Sequence, residues 1–268
     1  MGSSESGSNP GHAAVGDGST TGALPSEGNQ PRPRQQVQVW EIALAGGVVA
    51  GLVSWVGGEL AHGAFKPRLV QVVLMFGQTV MRPSASTLNA AAVKNATLAF
   101  AILGGVTGLA MGFAGGLAGR SPSRGVIVGL GAQALGALVG ALASLALVPL
   151  FHRELVPDLN DLLSPIMIHA GIWTGIGAVG GLAFAVGMGC GRRLLRPIGG
   201  ACLGAILAAV VFHVVSGGLF PDSGSTEPIA TSPFVRLLAM FLVTVLVAAG
   251  ATRGTQGRAA LPASAVCH

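Results

Sequence analysis

The sequence predicts an all-α, glycine-rich bundle of six transmembrane helices, and three observations carry that prediction. Only 9% of the 268 residues are charged, while 51% are hydrophobic. A soluble domain carries about a quarter charged residues, and a chain this poor in charge cannot cover a water-facing surface. Next, the apolar residues fall into long uncharged runs, most of them long enough to cross roughly 30 Å of hydrocarbon. Finally, two stretches repeat one design of apolar run, tight basic turn and second apolar run. Their turns are Gly119-Arg120-Ser-Pro-Ser-Arg124 and Gly191-Arg192-Arg-Leu-Leu-Arg196, both of the form Gly-Arg-x-x-x-Arg.

Residues 1–39 are rich in Gly, Ser, Pro and Asn, with few large apolar side chains. Such a segment cannot bury enough surface to offset its ordering entropy, so a disordered cytoplasmic tail is expected there. The transmembrane part covers 40–252, with spans at about 42–62, 95–119, 125–151, 163–190, 197–220 and 233–252. Trp40 marks the start of the first span, where an amphipathic ring sits well at headgroup level. The last span is short, and Pro233 to Val235 extend it if Arg236 snorkels outward. Residues 253–268 form a polar cytoplasmic tail.

Between the first two spans, 69–81 is apolar but too short to cross. Arg68, Gln71, Gln78 and Arg82 recur at helical spacing, so an interfacial helix over 68–82 is expected. Lysine and arginine bias sets the orientation. Nine of these residues fall on one side, including Arg120, Arg124, Arg192 and Arg196, and six on the other. Both termini are thereby placed in the cytoplasm of a cell-membrane protein.

The second and third spans pair with the fourth and fifth as a tandem two-helix repeat. Gly46-Gly-Val-Val-Ala-Gly51 extends the likeness to the first span. The pattern then reads as three two-helix units, with half units at the two ends. Glycine occurs 43 times, much of it in stripes at four-residue spacing. Lipid supplies little hydrophobic drive between helices, so close backbone packing at small residues must hold them together. Gly46, Gly108, Gly136, Gly180 and Gly204 are the expected contact positions.

Ionisable groups near the spans are few. Glu59 and His62 share a face at the end of the first span, His169 and His213 lie in the fourth and fifth, and His152 and Glu154 follow the third. Histidine with carboxylate suits a divalent metal or a proton relay. The plainer reading is a set of histidines, each hydrogen-bonded locally at the interface. Counted from Arg192 and Arg196, the two span histidines differ in depth by roughly 9 Å at about 1.5 Å per residue. Gln133 is expected to bond to a neighbouring helix.

No signature of catalysis appears. An intramembrane serine protease needs Gly-x-Ser-Gly before a later histidine, whereas Ser216-Gly217 follows His169 and has Val214 two places before it. Phosphate loops, Cys-x-x-Cys and His-Glu-x-x-His are missing. The basic residues occupy short turns rather than one face, which excludes nucleic acid as a partner. No cofactor is implied. The expected partners are the lipid bilayer and other membrane subunits or a second copy. The function expected is that of a non-catalytic membrane component or assembly subunit. A small-solute or ion transporter is the alternative, with an intramembrane metal enzyme a distant third.

Overall fold

The computed structural model describes residues 33–73, 77–154, 163–191, 194–220, 224 and 227–256. Six helices dominate it: α1 Pro33–Ala61, α2 Ala85–Ala118, α3 Pro122–Glu154, α4 Leu163–Gly187, α5 Leu195–Leu219 and α6 Pro233–Gln256. Each contains a stretch long and apolar enough to cross a membrane. The all-α polytopic bundle is therefore the fold.

The helices form two layers. α4 packs on both α2 and α6, and these three make the interior. Each remaining helix fills the groove between two inner ones: α1 between α6 and α2, α3 between α2 and α4, α5 between α4 and α6. Burial follows this division. The inner spans α2, α4 and α6 are 56%, 61% and 44% buried, against 28%, 22% and 39% for α1, α3 and α5. An inner helix followed by an outer one thus recurs three times, with α6 and α1 as the split pair. This is the layout expected of a two-helix unit used three times.

Close backbone approach holds the layers together. A Cβ on Gly104 would meet the carbonyl of Gly136, and one on Gly136 would meet that of Gly104. Gly108 lies on the Ala132 carbonyl, and Gly116 lies on Gly125. The α5–α6 pair is built the same way, through Gly200 on Gly250 and Gly204 on Leu246. Gly46 of α1 sits against the Ala114 side chain, 3.1 Å from where its own Cβ would be. Gly180 is enclosed by side chains instead, with Val247 Cγ1 at 3.2 Å and Thr107 Cγ2 at 3.3 Å.

Local chemistry sets the helix ends. Ser84 caps α2, its hydroxyl accepting from the Thr87 amide at 3.3 Å. Arg120 adopts a left-handed φ of 58° in the α2–α3 turn, and Gly189 does so at 80° after α4. The guanidinium of Arg124 lies against Gly189, so these two turns are side by side at one end of the bundle. Arg196 joins them there, its carbonyl packed on Gly254 of α6. Arg192 lies outside the described residues.

Four expectations need correction. Residues 68–82 are not a helix: β1 (Leu69–Val73) and β2 (Thr79–Pro83) form an antiparallel hairpin, with Leu69 opposite Pro83 and Val73 opposite Thr79. Valine-rich segments favour strands, and Gly77 takes a φ of 72° that a helix does not allow. The tail expected over 1–39 is helical from Pro33 on, since proline suits a first helical turn; residues 1–32 lie outside the described residues. Helix α2 begins at Ala85, ten residues before the expected span. The tail expected from 253 is helical to Gln256, and residues 257–268 lie outside the described residues.

The glycine contacts differ in what they can yield. Gly108→Leu drives a side chain into the backbone of α3 and should destabilise the detergent-solubilised protein by at least the roughly 1–3 kcal/mol typical of overpacking. Gly180→Leu meets side chains that can shift and should cost less. Gly131, with nothing within 4 Å of its Cβ position, should tolerate leucine. Thermal unfolding of the three variants checks this order.

Candidate functional site

The buried polar chemistry gathers at the end of the bundle opposite the basic turns. His169 stands on α4 one turn after Pro165, and Trp173 follows one turn later on the same face. Adjacent Phe212 and His213 come from α5. His169 and His213 are each 4% exposed. Their rings meet edge to face with centroids 5.0 Å apart, and His213 Nε2 is 3.2 Å from His169 Nδ1. The same Nδ1 is 3.0 Å from the Pro165 carbonyl. Phe100, Trp173 and Phe212 wrap the His169 ring at centroid distances of 6.5, 5.3 and 5.8 Å.

The two histidines meet because the helix ends, rather than the turn arginines, set their depth. His169 lies eighteen residues before the end of α4 at Gly187, and His213 lies eighteen residues after the start of α5 at Leu195. The depth mismatch counted from Arg192 and Arg196 therefore vanishes. Small residues let the helices close on each other here too. A Cβ on Gly177 would be 2.9 Å from the Ala201 carbonyl, and one on Gly181 would be 2.7 Å from that of Pro197.

Beside the pair lies a cavity of about 40 Å³. His62, Asn95, His169, Trp173 and Arg236 line it, together with the Pro228–Ala230 strap that precedes α6. Arg236 does not snorkel outward. It is 6% exposed and forms a two-pronged ion pair with Glu59 of α1, Nε to Oε1 at 2.7 Å and Nη2 to Oε2 at 2.8 Å. Its Nη1 donates to the carbonyls of Ala230 and Thr231, both at 2.8 Å. One guanidinium thus ties α1, α6 and the strap together. Trp55 adds a second tie between α1 and α6, donating from Nε1 to the Pro233 carbonyl at 3.1 Å.

Of the residues expected to form a site, His169 and His213 are in contact, and His62 shares the cavity wall with His169. Glu59 reaches the site only through Arg236. The four do not make one ligand shell. Among the described residues no three His, Cys, Asp or Glu side chains could hold one metal ion, whereas zinc sites use three or four protein ligands. Gln133 is exposed on α3; the stem of its side chain runs along α2, with Cγ 3.6 Å from where a Cβ on Gly105 would lie. The side chains of His152 and Glu154 lie outside the described residues.

Arg236, Trp173 and Phe212 were not among the expected site residues. Their signals were in the sequence: an arginine at the start of the last span beside a lone glutamate at the end of the first, and aromatic residues one turn from or next to each histidine. No family description, no curated protein and no solved structure matches this chain.

Breaking the Glu59–Arg236 pair should be costly because it strands a buried guanidinium. Glu59→Met is expected to lower stability by about 3 kcal/mol, the lower end of the range for a buried pair, since the Glu59 side chain is 27% exposed. The double variant Glu59→Met/Arg236→Met should recover more than half of that loss. A thermal double-mutant cycle in detergent measures both.

Proposed function

We propose that this chain is a multi-pass component of the cell membrane, without catalysis of its own, that serves as a compact assembly or packing subunit. Its partners in this reading are the lipid bilayer and other membrane subunits or a second copy. Both termini lie in the cytoplasm. The observation that carries the reading is the way the interior closes between the histidine pair and the basic end. The buried threonines there give their hydroxyls back to their own helices: Thr107 to Leu103, Thr244 to Met240 and Thr252 to Ala248, at 2.6, 2.9 and 3.1 Å. The side chains around them are apolar and fully buried, among them Met111, Ile176, Val243 and Val247. Between the histidine pair and the basic end a solute would meet these apolar side chains and hydroxyls already bonded to their own helices, whereas passage needs free polar lining.

A transporter of a small solute or ion is the second reading. The contact between His169 and His213 favours it, because ionisable groups within spans commonly mark ion or proton paths.

Osmotic swelling of proteoliposomes separates the two. The packing reading expects swelling in glycerol, urea and ammonium salts to match that of empty vesicles. Faster swelling in any of them, lost in His169→Gln, would replace it with the transporter reading. Topology is tested independently with reporter fusions. A fusion after Arg258 should read cytoplasmic, and one between Asp158 and Asp161 should read exported.

A further inference from the structure

We propose that the cavity between His169 and the Pro228–Ala230 strap is a hydrated chamber through which the histidine pair exchanges protons with one face of the membrane only. Its volume is about 40 Å³, and a water needs about 10–15 Å³ measured this way, so two or three waters fit. Buried water also needs polar partners, and these are present. Trp173 lines the chamber, and its buried Nε1 has no partner among the protein groups. His62 adds a further polar group on a wall that is otherwise mostly apolar, where the Asn95 amide is held by the Phe65 backbone and the Arg236 guanidinium by Glu59, Ala230 and Thr231. Outside the chamber wall, on α5, buried His213 Nδ1 and Ser216 Oγ also lack protein partners. Native interiors rarely leave such groups unpaired, and ordered water is the usual remedy.

The pair is equipped to take the proton that such water would deliver. Backbone carbonyls of Pro165 and Pro228 both face His169, and His213 Nε2 approaches its Nδ1. A neutral imidazole has one N–H for these three groups. An added proton finds its acceptor already in place. In the transfer step a hydronium O–H bond breaks, an N–H bond forms on the free ring nitrogen, and water remains in the chamber. The charged groups nearby do not oppose it strongly. Glu59 and Arg236 neutralise each other across α1 and α6, His62 is exposed in the turn just after α1, and Glu227 is exposed beside the strap. On α2, Lys94 is turned over the Phe65 ring, 5.9 Å from its centre.

Access is one-sided. His62 is exposed and also lines the chamber, which connects it to the surface. In the other direction the interior is closed by Leu103, Ile176, Met111 and Val243, all about 1% exposed or less. This exchange adds a proton site to the packing role without needing a conducting path, so either can fail alone.

Solid-state NMR of the full chain in proteoliposomes, with ¹⁵N-labelled histidine, tests the chamber. His169→Gln and His213→Gln assign the two signals. Water cross-peaks should appear at the pair. Its signals should move when the compartment facing His62 is taken from about pH 8 to about pH 4, and stay still when only the opposite compartment is changed. Ala99→Leu or Ala239→Leu, each filling the chamber from a different helix, should abolish the cross-peaks. Two results would overturn the proposal: a native protein with no water cross-peak at either histidine, or a pair that follows the opposite compartment. The wild-type measurement decides even where a filling variant fails to fold.

Discussion

Everything in this bundle depends on how closely the backbones of α2 and α3, and of α5 and α6, approach at glycine. Between helices in lipid the solvent gives no reward for burying an apolar side chain, so association must come from contact itself. Removing the side chain at Gly104 and Gly136 brings carbonyl oxygen against Cα, and the contact runs along the whole pair from Phe100–Gly140 to Gly116–Gly125. Van der Waals gains are small per atom and accumulate with length, which is why a stripe rather than one glycine is required. The long α2–α3 hairpin and the α5–α6 pair are two rigid walls made in this way.

That closeness determines what can be polar. Where the walls meet backbone to backbone there is no room for side chains, and threonine can only turn its hydroxyl onto its own helix. Polar chemistry is pushed to the one end where α4 and α5 carry larger residues. There Trp173, Phe212 and the two histidines fill the space that alanine and glycine leave empty elsewhere. The histidine pair and its cavity are thus a consequence of the packing pattern as much as an addition to it.

The spans and the glycine contacts were legible because each rests on a local rule: length against bilayer thickness, and small residues at four-residue spacing. The β-hairpin was not. Arg68, Gln71, Gln78 and Arg82 keep helical spacing by coincidence, and period alone cannot outweigh the valines between them. The meeting of His169 and His213 was half legible. That both lie toward the end of the bundle away from the basic turns followed from counting, but their relative depth depended on where α4 ends and α5 begins, which the positions of the arginines did not give. Arg236 was misread for a different reason. Snorkelling and pairing both satisfy an arginine near a span end, and only the fold decides whether a carboxylate stands within reach.

The Glu59–Arg236 pair shows why that choice goes to pairing here. An arginine that snorkels leaves its own helix free to turn. One that grips Glu59 and the carbonyls of Ala230 and Thr231 fixes the first helix of the chain against the last and holds the strap across the bundle end. α1 and α6 are the two halves of the split unit, with no chain connection between them. They have the glycine contacts of Gly47 with Thr244 and Gly51 with Phe241, but no covalent turn. The other two units are closed by short connections, 119–121 between α2 and α3 and the few residues between Gly187 and Leu195 from α4 to α5. A two-pronged ion pair at a membrane boundary does for the split unit what those turns do for the others. It also holds the strap against His169, so closing the ring of helices and shaping the chamber beside the histidine pair rest on the same guanidinium.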